Sequence, residues 1–233
     1  MISGYFVPKS FDRQGFGKFI FKKMLRLFVP FAAISAVISV ATGTPESGHT
    51  WFLGTLFLFC LVYSIIRLVC KKSYDNPKPL SLIFVIVFAV IMSAGSLILR
   101  KIYNQDDWIY LWVYKFDPVH YLQYIMMFAF GVMAGRGEWF NKMSGTTGCT
   151  SLVIGLLLCI GNYLRGDNAW SGFIYQWFGA YESLLCVFLC TGLIWLFRKA
   201  GNWSGRFWKW CAEQSFGAYI IHLFVLLIVE NIL

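Results

Sequence analysis

The sequence predicts an all-α, polytopic membrane helical bundle of about seven transmembrane helices with a short N-terminal helix stub. Three observations carry that class. Of the 233 residues, 58% are hydrophobic and only 13% charged, against about 45–50% and about 25% in soluble domains. The apolar residues gather into runs long enough to cross a bilayer. The Lys and Arg residues fall between those runs, alternately many and few.

A crossing helix needs about 20 mainly apolar residues, because the hydrocarbon core is about 30 Å thick and each residue rises about 1.5 Å. Seven segments qualify: Leu25 to Ala41, Trp51 to Val69, Leu80 to Leu99, Val119 to Ala134, Thr150 to Leu164, Phe178 to Phe197, and Phe216 to Ile232. The third carries no charged residue, while the fifth is short and has Asn162 near its outer end. The connections are too short for a soluble domain, so residues 1–233 read as one transmembrane domain.

Charge sets the orientation. The connections at 1–26, 67–79, 135–149 and 198–215 hold 6, 4, 2 and 4 Lys plus Arg; those at 42–50, 100–118, 165–177 and the C-terminal end hold 0, 3, 1 and 0. Positive loops stay in the cytoplasm, so the N-terminus is expected inside and the C-terminus outside, in the cell (inner, cytoplasmic) membrane. Trp108, Tyr110, Trp112, Tyr114, Trp170 and Trp177 fall in outer connections, and Trp139, Trp203, Trp208 and Trp210 in inner ones, as interfacial belts require. The net charge of +9 is therefore a topology signal, with the bilayer and not a nucleic acid as partner.

Other signals are excluded or assigned to packing. The seven cysteines form no Cys-x-x-Cys, and no His spacing suits a metal, so free buried thiols and no metal site are expected. The first residues lack the pattern of a cleaved signal peptide. Gly131 with Gly135, and Ser35 with Ser39, make small-residue stripes that let helices approach closely. Asn202-Trp203-Ser204 matches a glycosylation acceptor but falls on the inner side, where that modification does not occur.

Polar groups within or beside spanning helices are costly in hydrocarbon and are candidates for function. On the inner side stand Ser3, Lys22, Lys23 and Arg26, with Tyr219 and His222 in the last helix; on the outer side stand His49, Trp51, His120 and Glu182. Lys22, Lys23 and Arg26 can anchor to anionic headgroups or cradle a phosphate-bearing donor, for which Arg26 offers bidentate contacts that Lys cannot. His222 suits either helix packing or a ligand contact. Glu182 can meet interfacial water or accept hydrogen bonds from sugar hydroxyls, and His49 and His120 read first as solvated loop-edge residues. No Gly-x-Ser-x-Gly, Walker loop, His-Glu-x-x-His or carboxylate dyad appears, so the residues alone supply no self-contained catalytic set.

Several strings resemble membrane acyltransferase family 3, the group of polysaccharide O-acetyltransferases and glucan-biosynthesis protein C. They are Ser3-Gly4-Tyr5-Phe6, the basic stretch Phe21 to Pro30, Gly48-His49-Thr50-Trp51-Phe52-Leu53, Tyr181-Glu182-Ser183, Leu196-Phe197-Arg198, and Ser215 to His222. The resemblance implies transfer of an acetyl or succinyl group from cytoplasmic acyl-CoA, a donor substrate and not a bound cofactor, to a hydroxyl of an envelope polysaccharide or glucan. It implies that Ser3, Lys22, Lys23 and Arg26 face the donor, that Tyr219 and His222 line the cavity, and that His49, Trp51 and Glu182 lie toward the glycan acceptor. Arg26 is expected to matter to donor use far more than Lys9.

The family pattern also has a first helix bearing an Arg and a His regarded as catalytic, for which no residues here correspond, and it often continues beyond the Tyr-x-x-His region. The resemblance therefore implies truncation at the N-terminus and at the C-terminus, no assignable catalytic residue, a chain inactive by itself, and a complementing membrane chain as a partner. Two other classes are weighed beside it. A transporter or flippase of acyl or glycan-linked lipid calls for inverted repeats and interrupted helices, of which the sequence shows none. A seven-helix receptor calls for an N-terminus outside, opposite to the charge pattern.

Overall fold

A computed structural model of the chain describes residues 1–70, 79–104, 107–166, 172–201 and 205–232. Asn202-Trp203-Ser204 and Trp170 lie outside the described residues. The chain is helical almost throughout: α1 spans Ile2–Lys23, a π-helical turn Met24–Phe28, α2 Val29–Thr42, α3 Trp51–Val69, and α4 Leu82–Ile102. Then follow β1 Ile109–Leu111 and β2 Tyr114–Phe116, α5 Pro118–Gly137, the short α6 Trp139–Lys142, α7 Gly145–Arg165, α8 Phe178–Ala200 and α9 Arg206–Ile232. Each of the seven apolar segments lies in helix but for the two residues ahead of α4 (Leu80, Ser81).

Capping explains several starts. Ser81, Asp117 and Ser144 each accept a backbone N–H from the first turn of α4, α5 and α7. Gly43, in the left-handed conformation, ends α2.

By length and composition, five stretches of the described residues can cross a membrane: Ile2–Thr42, Gly48–Val69, Leu82–Ile102, Gly145–Arg165 and Ile174–Ala200. The expected segment Val119 to Ala134 lies in α5, a 20-residue helix that is long enough but carries His120, Gln123 and Arg136. Outward-facing apolar side chains mark the lipid contact, as on α4, where Ile83, Val90, Ile91 and Ile98 are all more than half exposed. Trp112, Trp177, Trp208 and Trp210 are exposed as interfacial residues would be. The protein is a multi-pass membrane helical bundle.

The first stretch of 41 residues would span about 60 Å as one helix, twice the hydrocarbon thickness. It is broken at Gly15, whose φ of 71° and ψ of 169° lie outside helical space. The stub expected at the N-terminus is thus a separate helix, Ile2 to Gln14, packed against α5. There the Gly-x-x-x-Gly pair acts as expected. A Cβ on Gly131 would stand 2.0 Å from the Met1 carbonyl oxygen, and one on Gly135 2.3 Å from that of Tyr5.

The main core joins α4, α5 and α8 through Val85, Phe88, Met92, Phe130, Ala134 and Val187. In this apolar interior hydroxyls bond to their own helix: Ser64 to the Cys60 carbonyl, Ser93 to that of Ala89 and Ser183 to that of Gly179. The seven cysteines are all free, but only Cys60 is buried, and Cys70 and Cys149 are exposed. The expectation of uniformly buried thiols fails because Cys70 follows the last turn of α3 and Cys149 sits on an outward face of α7.

Candidate functional site

A cavity of about 730 Å³ opens between α1, the π-helical turn, α3 and α9. Its first wall is one face of α1: Ile2, Ser3, Phe6, Lys9, Ser10 and Arg13 recur at helical spacing. The break at Gly15 turns the chain, so that Lys23, Arg26 and Leu27 form the adjoining wall. The π-helical turn re-aims side chains by inserting an extra residue per turn, as such turns do at functional sites; it buries Leu27 and sets the Arg26 guanidinium over the Phe216 ring of α9, 5.9 Å from its centroid. Leu53, Leu56 and Cys60 of α3 supply an apolar wall, and Phe216 and Tyr219 close the space from α9.

Four basic side chains, Lys9, Arg13, Lys23 and Arg26, line this cavity, and among the described residues that line it none is acidic. Lys9 has a partner outside it, Glu138, at 3.3 Å. An apolar chamber with a cationic mouth suits an anionic group carrying an apolar arm.

Of the inner residues expected from sequence, Ser3, Lys23, Arg26 and Tyr219 share this cavity, whereas Lys22 and His222 are exposed and are not part of its lining. Lys9, the expected remote comparison, is itself on the wall. Lys9 and Arg13 were missed because they precede the first long apolar run; their spacing of four from each other, on the face of Ser3 and Ser10, is the signal that finds them.

His49, expected on the acceptor side, stands with Tyr219 and His222. Its Nε2 meets the Ile220 carbonyl at 3.0 Å, and the Tyr219 hydroxyl donates to the His49 carbonyl at 2.9 Å. The His222 ring lies 4.8 Å from that of His49 and 5.6 Å from that of Tyr219. Trp51 lies apart from them, in an aromatic group with Trp108 at 5.4 Å and Tyr124 at 5.7 Å.

Glu182 belongs to a third set. It pairs with Arg100 of α4, and its carboxylate is 3.4 Å from Nε2 of His120, whose Nδ1 bonds Asp117. Asp117 also caps α5 by accepting the Val119 N–H at 2.9 Å. The four side chains are 8% to 24% exposed, so the charges must balance one another to be tolerated. His120 Nε2 also lies 3.3 Å from Nη2 of Arg100, which can only donate, so Arg100 bridges the Glu182 carboxylate and the imidazole while Nδ1 of His120 faces Asp117. The set ties α4, α5 and α8 together. Sequence reading took each of these groups singly; the i, i+3 pair Asp117 and His120 at a helix start is the legible part.

On α1, Asp12 receives two hydrogen bonds from Arg136 of α5 and lies 3.6 Å from Arg67 of α3, while Arg136 also donates to the Tyr63 hydroxyl at 2.8 Å. This network fixes α1 beside the cavity.

No curated protein and no solved structure matches the chain. The sequence profile of the acyltransferase domain, family 3, matches residues 1–233. The chain accordingly belongs to the acyltransferase 3 family of membrane proteins, as its string resemblances and helical bundle implied.

Proposed function

We propose that this protein transfers an acyl group, acetyl or succinyl, from a cytoplasmic acyl-CoA to a hydroxyl of an envelope polysaccharide or glucan. The observation that carries the donor half is the cavity with four basic and, among the described residues that line it, no acidic side chains beside an apolar wall. Arg26 and Lys23 take the donor's phosphates, with Arg13 and Lys9 extending the cationic mouth, and Ser3 hydrogen-bonds the arm that runs inward between α1 and α3. Tyr219 lines that path, and the His222 ring lies 5.6 Å from its ring along α9. Trp51 and Glu182 lie toward the acceptor, where an aromatic face stacks on a sugar ring and a carboxylate accepts hydroxyl hydrogens.

The same reading takes the membrane to be the cell (inner, cytoplasmic) membrane with the N-terminus inside, so that the basic side of the cavity meets the cytoplasmic donor pool. The test is transfer of radiolabelled acetyl from acetyl-CoA to glucan in inverted membrane vesicles containing the chain. Label entering the glycan only when the chain is present is the expected result. Equal incorporation with and without the chain, under conditions where the donor is intact, contradicts the proposal.

A further inference from the structure

The cavity follows α3. Phe52, Leu56 and Cys60 recur every four residues along its lining, so it extends about 12 Å along that helix, up to its first turn. There Phe52 neighbours a second group of side chains. Its ring is 5.9 Å from that of Trp51 and 5.6 Å from that of Tyr124, and the Trp51 ring is 5.4 Å from that of Trp108, just ahead of β1. We propose that Trp51, Trp108 and Tyr124 form the subsite for the acceptor and that it takes an uncharged pyranose; this rests on the acyl-transfer reading above.

The three side chains carry donors that the protein does not use. Among the described residues, neither indole N–H nor the Tyr124 hydroxyl has a hydrogen-bond partner, and none of these atoms is sealed from the surface. A buried Trp N–H or Tyr O–H usually finds a partner in the protein. The rings are half-buried and meet one another between α3 and α5, whereas Trp112, at the hairpin tip, is 82% exposed. Interfacial anchoring accounts for Trp112 and not for a group shared by two helices. Aromatic surface beside unspent donors suits a sugar ring, whose C–H face packs on it and whose hydroxyl oxygens accept from the donors.

Charge sets the class of sugar. Lys115 lies 5.3 Å over the Trp108 ring and bonds Glu46 at 2.5 Å. His120 precedes Tyr124 by one turn on the same face of α5 and belongs with Arg100, Glu182 and Asp117, where Arg100 pairs with Glu182 and Asp117 bonds the imidazole. Lys115 and Arg100 are thus each matched by a carboxylate. An anionic sugar would bring a further negative charge into a half-buried site without a partner, which is costly. An uncharged pyranose meets no such cost, and its hydroxyls lie at the end of the cavity toward which the donor's arm runs.

The experiment uses the full chain in nanodiscs without acetyl-CoA, titrated with a neutral glucose oligosaccharide and, separately, with a uronic-acid oligosaccharide of equal length. We expect the neutral sugar to bind at least about tenfold more tightly. Trp108→Ala is expected to weaken its binding by about tenfold; Trp108→Tyr, which keeps a ring and a donor, by less than about threefold; and Tyr124→Phe, which removes only the hydroxyl, by about 2- to 10-fold. Acetyl-CoA affinity, measured on the same samples, is expected to stay within about threefold of wild type in every variant. Unchanged oligosaccharide affinity in both Trp108→Ala and Tyr124→Phe overturns the inference, as does equal or tighter binding of the uronic sugar. If wild type binds neither oligosaccharide while the vesicle assay above shows acetyl entering glucan, the subsite is overturned and acyl transfer stands. If glucan is neither bound nor labelled, the acyl-transfer reading falls and the subsite with it.

Discussion

Glu182→Gln removes one charge from the set formed by Arg100, Glu182, His120 and Asp117 while preserving side-chain volume. In the native arrangement Arg100 is 11% exposed and Asp117 8%, so neither is rescued by bulk water. Losing the Glu182 charge breaks the pair with Arg100 in a site that α4, α5 and α8 close from three sides. Breaking a buried pair by removing one partner costs about 3–5 kcal/mol. We take the lower end, about 3 kcal/mol, because Glu182 and His120 keep 24% and 21% exposure and are partly hydrated. For a chain of this length, each kcal/mol shifts Tm by about 2–4 °C, so Glu182→Gln is expected to lower Tm by roughly 6–12 °C. The assay is thermal unfolding of the purified protein in detergent, with Arg100→Ala and the double variant beside it. Each single variant already loses the Arg100–Glu182 interaction, so the double variant is expected to lose less than the two single losses summed, by about 0.5–3 kcal/mol. A Tm of Glu182→Gln within about 1 °C of wild type, together with strict additivity, refutes the reasoning and returns Glu182 to the role of a solvated carboxylate.

Other expectations follow from the same contacts. Gly131→Ala places a methyl group against the Met1 carbonyl oxygen, where the built Cβ falls at 2.0 Å, so it is expected to destabilise by about 1–3 kcal/mol; Gly161→Ala, with nothing within 4 Å, is expected to be neutral or to stabilise by up to about 1 kcal/mol. Thermal unfolding separates the two. In the loop ahead of α3, the hydrogen bond from Lys115 chiefly holds the Glu46 carboxyl below its ordinary 4.5. The sign follows: the contribution of that pair is fully present above pH 4.5 and disappears as pH falls through the lowered folded value. Wild type is therefore expected to exceed Lys115→Met in stability at pH 7, with the gap closing on acidification below about 4; a gap independent of pH contradicts the pairing.

The helices were legible because a lipid-crossing run is long, and Trp51 to Val69 is α3 to the residue. The break at Gly15 was not. Glycine within such a stretch reads as a loop or a tolerated helical position, and its φ of 71° falls where the segment packed on α5 ends and the one leading to the π-helical turn begins. The π-helical turn at Met24–Phe28 likewise leaves no mark in an unbroken basic and apolar run. On the inner side, Ser3, Lys23, Arg26 and Tyr219 do converge, but Lys22, one residue from Lys23, points elsewhere. A run of basic residues does not say which of them faces inward, because helical phase beside a π-helical turn is a three-dimensional outcome. The partners of His49 and Glu182 were out of reach for another reason. Ile220 is 171 residues from His49, and Arg100 is 82 from Glu182, and such pairings are set by helix packing.

The Arg26 guanidinium lines the cavity and is the proposed donor contact on which the functional account rests. A charge-assisted hydrogen bond contributes about 1.5–3 kcal/mol, which is roughly 10- to 150-fold in affinity. The decisive measurement is the Kd for acetyl-CoA of wild type, Arg26→Ala and Lys22→Ala in nanodiscs at one salt concentration. The account predicts a loss of that size for Arg26→Ala and less than about threefold for Lys22→Ala, an exposed lysine outside the cavity lining. Equal Kd values for all three proteins, or a loss confined to Lys22→Ala, contradict it.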